Sequence, residues 1–271
     1  MRVYLTRHGQ TDWNAEDKVL GRTDVPLNEA GLAQAGQLAQ ALSGEPIDLV
    51  ITSPLTRTVQ TGRIVAEALG VPAVTADALI EMDFGVFEGV LRGDPRYQAE
   101  KKRYFARLEG GESYLDVAGR AYPFLQSLPK LVPQILKEKG KGNMSAVISP
   151  PTEICPSGQR ENNRVSCSLA GREESSAAIK EDALAQRENN RVSCSPAGRE
   201  ESSAAIKEDS LAQRGNNTDS WSAALRAEDP NVLLVSHNGI CRVICSYFRD
   251  MENDEFRTFQ LGNCSVLQFE M

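Results

Sequence analysis

The chain has 271 residues, 41% hydrophobic and 25% charged, with 30 basic against 37 acidic side chains and a formal net charge of −7. That is enough for one sizeable domain, without the positive excess that favours a nucleic-acid backbone or an anionic membrane. Its apolar runs are strand-length, far short of the roughly 20 residues that cross a bilayer, and the start MRVYLTRHG carries no leader-like apolar region, so the expectation is a cytoplasmic protein with no nucleic-acid or membrane partner.

Along the chain, short apolar runs alternate with helix-like segments. Residues 3–6 form the first expected strand, followed by a helical pattern at 28–43. A second strand at 49–52 runs into Ser53-Pro54, where Ser as N-cap and Pro at the first helical position announce a helix over 55–69. A third strand is expected at 71–75, with Pro72 confining it to a strand start or an edge. Helical patterns then fall at 97–107, 114–127 and 130–139.

The pattern breaks at residue 143. Residues 160–186 and 187–213 are copies of each other, differing only at Leu169/Pro196 and Ala183/Ser210, and no Phe, Tyr or Trp occurs from Asn143 to Ser220. Such a stretch buries too little apolar area to offset its ordering entropy, so residues 143–230 read as a low-complexity repeat insertion, a mobile or weakly helical loop. The core is then expected in two parts, 1–142 and 231–271, with last strands at 232–236 and 265–269. Strands separated by helices imply an α/β three-layer sandwich with a largely parallel sheet. The six cysteines, at 155, 167, 194, 241, 245 and 264, form no CxxC pair, and thiols are expected rather than disulfides.

In an open parallel sheet the ligand crevice lies at the carboxyl ends of the strands. The chain has two histidines, and both stand there: His8 follows the strand VYLT by one residue, and His237 directly follows VLLVS. Each is followed by residues that let the backbone turn, in Arg7-His8-Gly9 and Ser236-His237-Asn238-Gly239. Arg57 occupies the first turn of the helix after the second strand, where free N–H groups and the positive dipole end already favour an anion. Two arginines, a helix N-terminus and two imidazoles suit a phosphoryl group, because guanidinium forks match phosphate oxygens in pairs. Between 90 and 107 the chain carries Arg92, Arg96, Lys101, Lys102, Arg103 and Arg107 against Asp94 and Glu100. This is either a cap that attracts anionic substrates or a solvated helix face.

The string Leu5-Thr6-Arg7-His8-Gly9-Gln10-Thr11-Asp12-Trp13-Asn14 resembles the histidine phosphatase (phosphoglycerate mutase-like) superfamily. So do Gly21 to Gly31, Ser53 to Thr61, Glu81 to Gly89, Gly110-Gly111-Glu112-Ser113 and Val235 to Gly239, in the family's order. The resemblance covers residues 1 to about 140 and 231–271. It implies that His8 is the nucleophile, that Arg7, Arg57 and His237 hold the phosphoryl oxygens with Asn14 and Asn238 beside them, and that Glu81 is the proton donor. Asp83 and Glu88 stand close to Glu81, and spacing alone does not choose among the three. The implied activity is a phosphomonoesterase acting on small phosphorylated substrates without metal or cofactor, the FGVFEG pattern resembling the phosphatase branch. Phe87 stands where many of that branch carry Trp. Phosphoglycerate mutase chemistry and a non-catalytic binding module on the same fold are the alternatives.

Overall fold

The computed structural model describes residues 1–103, 105–139, 147–148 and 229–271. The two 27-residue copies lie outside the described residues, as do Cys155, Cys167 and Cys194.

Six strands form one sheet: β1 (Arg2–Arg7), β2 (Leu49–Thr52), β3 (Ala73–Ala76), β4 (Val147–Ile148), β5 (Val232–Ser236) and β6 (Val266–Glu270). Their order is β4-β3-β2-β5-β1-β6, and all neighbours run parallel except β6, which pairs antiparallel with β1. All five sequence-expected strands hold their places to within two residues. The third begins after Pro72 rather than at Val71, as a residue without an N–H requires. Val147–Ile148 was not expected: it falls inside the 143–230 segment yet pairs with Thr75–Ala76 and extends the sheet.

The helices are α1 (Asp12–Ala15), α2 (Glu29–Ala41), α3 (Thr56–Leu69), α4 (Pro95–Lys101), α5 (Tyr114–Lys139), α6 (Asn238–Phe248) and α7 (Asn253–Thr258). Successive residues of a strand face opposite sides, and here both sides are covered. Val3, Leu5, Leu49, Ile51, Val232 and Leu234 pack under α5 and α6, whereas Tyr4, Val50, Leu233 and Val235 pack against Leu38, Ala39 and Leu42 of the α2 region and Val65 and Ala66 of α3. The result is the three-layer α/β sandwich. No helix among the described residues is long and apolar enough to cross a membrane.

Three helix expectations are corrected. Residues 114–127 and 130–139 form one helix, α5, with Pro123, Pro129 and Pro133 inside it. Val117, Ala121, Phe124, Leu125, Leu128, Val132, Ile135 and Leu136 make one continuous buried stripe at helical spacing, so tertiary packing overrides the prolines, which are all exposed. The helix expected at 97–107 is α4, with Asp94 as N-cap accepting from the N–H groups of Arg96 and Tyr97 and with Pro95 in its first turn. It stops at Lys101. The helix after β2 begins at Thr56, not at Pro54: Ser53 Oγ accepts from Leu55 N, and the cap comes from the distant Asp24, which accepts from Thr56 N (2.8 Å) and Oγ1 (2.6 Å).

Candidate active site

Strands β1 and β5 are neighbours in register, with Arg7 opposite Ser236, and His8 N donates to Ser236 O at 3.0 Å. Two residues 229 positions apart therefore leave the sheet side by side. The rings of His8 and His237 stand 5.2 Å apart between centroids, tilted by 59°. Both are buried, 3% and 1% exposed.

Each ring has its tautomer fixed by its partners. His8 Nδ1 lies 2.7 Å from the carbonyl of Gly9, an acceptor only, so Nδ1 holds the proton and Nε2 carries the free lone pair. His237 Nδ1 accepts from Arg57 Nε at 3.2 Å, which places the His237 proton on Nε2, 2.8 Å from Ser53 Oγ. Burial, then the positive charges of Arg7 and Arg57, hold His8 well below the ordinary histidine pKa, and burial and Arg57 do the same for His237. Both imidazoles are neutral at pH 7.

Beside them opens a cavity of about 380 Å³. Arg7, His8, Asn14, Glu81 and Asn238 line it. Arg7 gives one bond to Leu261 O (3.2 Å), while its buried Nε has no protein acceptor among the described residues. Asn14 and Asn238 both spend their carbonyl oxygens on backbone N–H groups, Asn14 on Thr11 (3.3 Å) and Asn238 on Leu261 (2.9 Å), which leaves their amide –NH₂ groups as donors. Arg57 and His237 are brought to the same corner but are not among the lining side chains. Arg57, fully buried, points its other donors at the carbonyls of Thr23 (2.9 Å) and Gly21 (2.6 Å) and sits behind the imidazoles. Burial lowers its pKa to about 10, which still leaves it a cation at neutral pH.

Of the three neighbouring acids, Glu81 alone is buried and lines the cavity. Asp83 accepts from Gly85 N (2.9 Å), and Glu88 accepts from the N–H groups of Arg22 (2.7 Å) and Thr23 (2.8 Å). Glu81 follows β3 in the loop that also carries the short 3-10 turn Asp77–Leu79, and its carboxylate accepts from Met82 N (2.8 Å) and from Gly239 N (3.1 Å), in the first turn of α6. The approach is close: a Cβ at 239 would stand 2.6 Å from Glu81 Oε1 and would displace the carboxylate. Burial raises the Glu81 pKa, against the opposing pull of those N–H groups and of Arg57 and Arg7.

A clamp that the sequence reading did not identify holds this loop. Glu112 pairs with Arg22 (2.8 Å) and Arg120 (3.3 Å) and accepts from Asp83 N (3.0 Å), and Arg120 also donates to the carbonyls of Ala78 (2.8 Å) and Glu81 (3.3 Å). Among the described residues there is no group of three or more His, Cys, Asp or Glu side chains arranged to hold a metal ion. Cys241, Cys245 and Cys264 are free thiols.

The family model of the histidine phosphatase superfamily, branch 1, matches residues 3–143 and 171–271. The chain belongs to this superfamily. Among curated proteins it is 36% identical over 138 residues to the probable phosphoglycerate mutase GpmB of Yersinia pestis (strain Pestoides F) and, equally, to that of Yersinia pseudotuberculosis serotype O:1b (strain IP 31758). That match spans 48% of this chain and 64% of the relative, less than two thirds of its length. Solved structures share the superfamily fold at low identity. A mycobacterial glucosyl-3-phosphoglycerate phosphatase aligns with a TM-score of 0.58 at 19% identity, over 98% of this chain and 88% of its own. A putative alpha-ribazole-5'-P phosphatase from Escherichia coli K-12 gives 0.57 at 18%, over 99% and 89%.

Proposed function

We propose that this histidine phosphatase family member is a phosphomonoesterase that carries the phosphoryl group transiently on His8 Nε2. The observation that carries the reading is the His8 ring itself: buried, neutral, with Nδ1–H tied to the Gly9 carbonyl and its other nitrogen free beside a cavity lined by Arg7, Asn14 and Asn238. A neutral, aimed imidazole needs no separate base to attack phosphorus.

In the first step the Nε2 lone pair forms the N–P bond while the ester P–O bond breaks. The leaving alkoxide takes the proton of Glu81, whose raised pKa favours the protonated acid. Arg7 and the amide groups of Asn14 and Asn238 donate to the phosphoryl oxygens. Arg57 adds its charge from behind and, through Nδ1, holds the neutral His237 ring beside His8, with the His237 Nε2–H on Ser53 Oγ. In the second step the Glu81 carboxylate takes a proton from water, the water oxygen attacks phosphorus, and the N–P bond electrons return to Nε2. The sum is ester plus water giving alcohol plus phosphate, with Glu81 protonated again.

The test is incubation with labelled phenyl phosphate followed by alkaline and acid treatment. An alkali-stable, acid-labile phosphoenzyme is expected in the native protein and none in His8→Ala, with hydrolysis reduced to background; hydrolysis that persists in His8→Ala removes the mechanism. The name of the 36%-identical relatives favours one second reading, a mutase that returns the phosphoryl group to a product rather than to water. A requirement for a bisphosphate primer would select it.

A further inference from the structure

The segment Gly110-Gly111-Glu112-Ser113 has no part in the chemistry above, yet it lies against the loop that carries Glu81. Glu112 N donates to Asp83 O (2.9 Å) and Val86 N to Glu109 O (3.1 Å), so the two loops meet main chain to main chain. A Cβ at 111 would stand 2.4 Å from Asp83 O, and a side chain there would push the loops apart. Glu112 is also anchored from behind, because α5 starts just after it with a closed first turn: Ser113 N (2.8 Å) and Oγ (2.6 Å) donate to Asp116 Oδ2, and Asp116 N donates to Ser113 Oγ (3.3 Å). The Glu112 carboxylate, 16% exposed, uses both oxygens. Oε1 accepts from Arg22 Nη2 (2.8 Å), and Oε2 accepts from Asp83 N (3.0 Å) and from Arg120 Nη2 (3.3 Å). The two arginines then converge on one acceptor: Arg120 Nη2 (3.3 Å) and Arg22 Nε (3.5 Å) both donate to the carbonyl of Glu81, while Arg120 Nη1 holds Ala78 O (2.8 Å).

We propose that Glu112 is a positioning residue for the proton donor: through Arg120, Arg22 and the Asp83 N–H it fixes the main chain on both sides of Glu81 and so aims the Glu81 carboxyl at the ester oxygen. The proposal rests on the phosphatase reading and deepens it. A general acid works only within about 2.6–3.2 Å of the oxygen it protonates, and a misplacement of about 1 Å can cost on the order of a hundredfold in rate. The Glu81 carboxyl is itself held by Met82 N and Gly239 N, but its aim also depends on where its own peptide stands. Glu112 ties that peptide to the start of α5, whose buried stripe packs against the sheet. Glu112, Arg22 and Arg120 are not among the side chains that line the cavity, so their influence on a bound ester passes through the Glu81 loop. A solvent-exposed ion pair contributes little, whereas this one joins a loop, a helix and the donor's own carbonyl.

Two esters separate a misplaced donor from a damaged site: propyl phosphate, whose alkoxide needs a proton as it leaves, and 4-nitrophenyl phosphate, whose phenolate leaves without one. kcat/KM covers only the steps through departure of the alcohol, and the ratio of the two values, propyl over nitrophenyl, taken on one sample is independent of the fraction folded. Glu112→Gln keeps the size of the side chain but turns one accepting oxygen into a donor, which opens one side of the clamp. It should lower the ratio about tenfold or more, inside the roughly 10²–10⁴ that a general acid supplies. Arg120→Lys keeps the charge but cannot span Ala78 O and Glu81 O; it should lower the ratio by about threefold or more, and it carries the test should Glu112→Gln not fold. Glu67→Gln, an exposed acid on α3, should leave the ratio unchanged. In a Glu81→Gln background the ratio is already low, and adding Glu112→Gln should move it by less than about twofold, because the two residues act as one unit. Equal losses for the two esters in Glu112→Gln and Arg120→Lys, or an undiminished further drop in the Glu81→Gln background, overturn the proposal and leave the phosphatase reading standing. A native protein that hydrolyses neither ester and forms no phosphohistidine overturns both.

Discussion

At the scale of single residues, the proposed mechanism depends on two groups whose environments push their pKa values towards each other. His8 works only when neutral, and burial with Arg7 and Arg57 lowers its pKa, so activity is lost as pH falls through that lowered value. Glu81 works as a donor only when protonated, and burial raises its pKa, so activity is lost as pH rises through the raised value. The kcat/KM profile should therefore be bell-shaped, with the alkaline limb belonging to Glu81. Glu81→Gln should remove that limb and lower kcat/KM by roughly 10²–10⁴ for an alkyl ester, whose leaving group needs the proton most. A profile whose alkaline limb survives in Glu81→Gln would assign the donor elsewhere. The histidine positions are legible from sequence because each follows an unmistakable strand and precedes a turn. The choice of Glu81 over Asp83 and Glu88 is not legible, since it is a matter of burial: three carboxylates within eight residues differ only in which N–H groups they meet.

Among the elements, α5 shows most directly how packing overrules local preference. Three prolines argue for a break near residue 129, and the sequence reading placed one there, yet the buried stripe from Val117 to Leu136 holds a single helix against the sheet and α6. Each proline removes a backbone donor and crowds the carbonyl four residues earlier, a cost of about 3 kcal/mol relative to alanine in a helix interior, partly offset by the stiffer unfolded chain. Pro129 is exposed, so Pro129→Ala should raise stability by about 1–2 kcal/mol, seen as a higher urea midpoint at unchanged m-value. A lower midpoint would mean that α5 needs the bend a proline provides. The start of α3 carries the complementary lesson. Ser53-Pro54 has the composition of a helix entry, but the cap comes from Asp24, whose loop also offers Gly21 O and Thr23 O to Arg57. A long-range cap leaves no trace in local spacing, whereas the alternation of strands and helices that set the fold class does.

For the whole molecule the decisive fact is where the described core closes. Among the described residues, all the candidate site residues and the two apolar clusters on either side of the sheet come from residues 1–139 and 229–271. Met1 and Asp229 pair at 2.7 Å beside the β1–β5 junction, and Asn231 is fixed by Asp48 (2.8 Å) and Pro46 (2.8 Å), so the chain re-enters the core at a well-tied point. In the sheet β4 and β5 are separated by β3 and β2, about 14 Å at ordinary strand spacing, and a parallel return from Ile148 to Val232 must also retrace about 13 Å of strand. A flexible linker of about 20 residues has an r.m.s. span near 25 Å and can make that journey. Replacing residues 149–228 with such a Gly/Ser linker should leave hydrolysis and its pH profile unchanged. Because loop-closure entropy grows only with the logarithm of length, the same replacement should raise stability by no more than about 1 kcal/mol. Urea denaturation of the full chain and the linker variant, read beside their phosphatase rates, decides the matter: a less stable or inactive variant would show that the 27-residue copies contribute to the core or the site, and a match would show that the two sequence-distant halves make the whole catalytic unit.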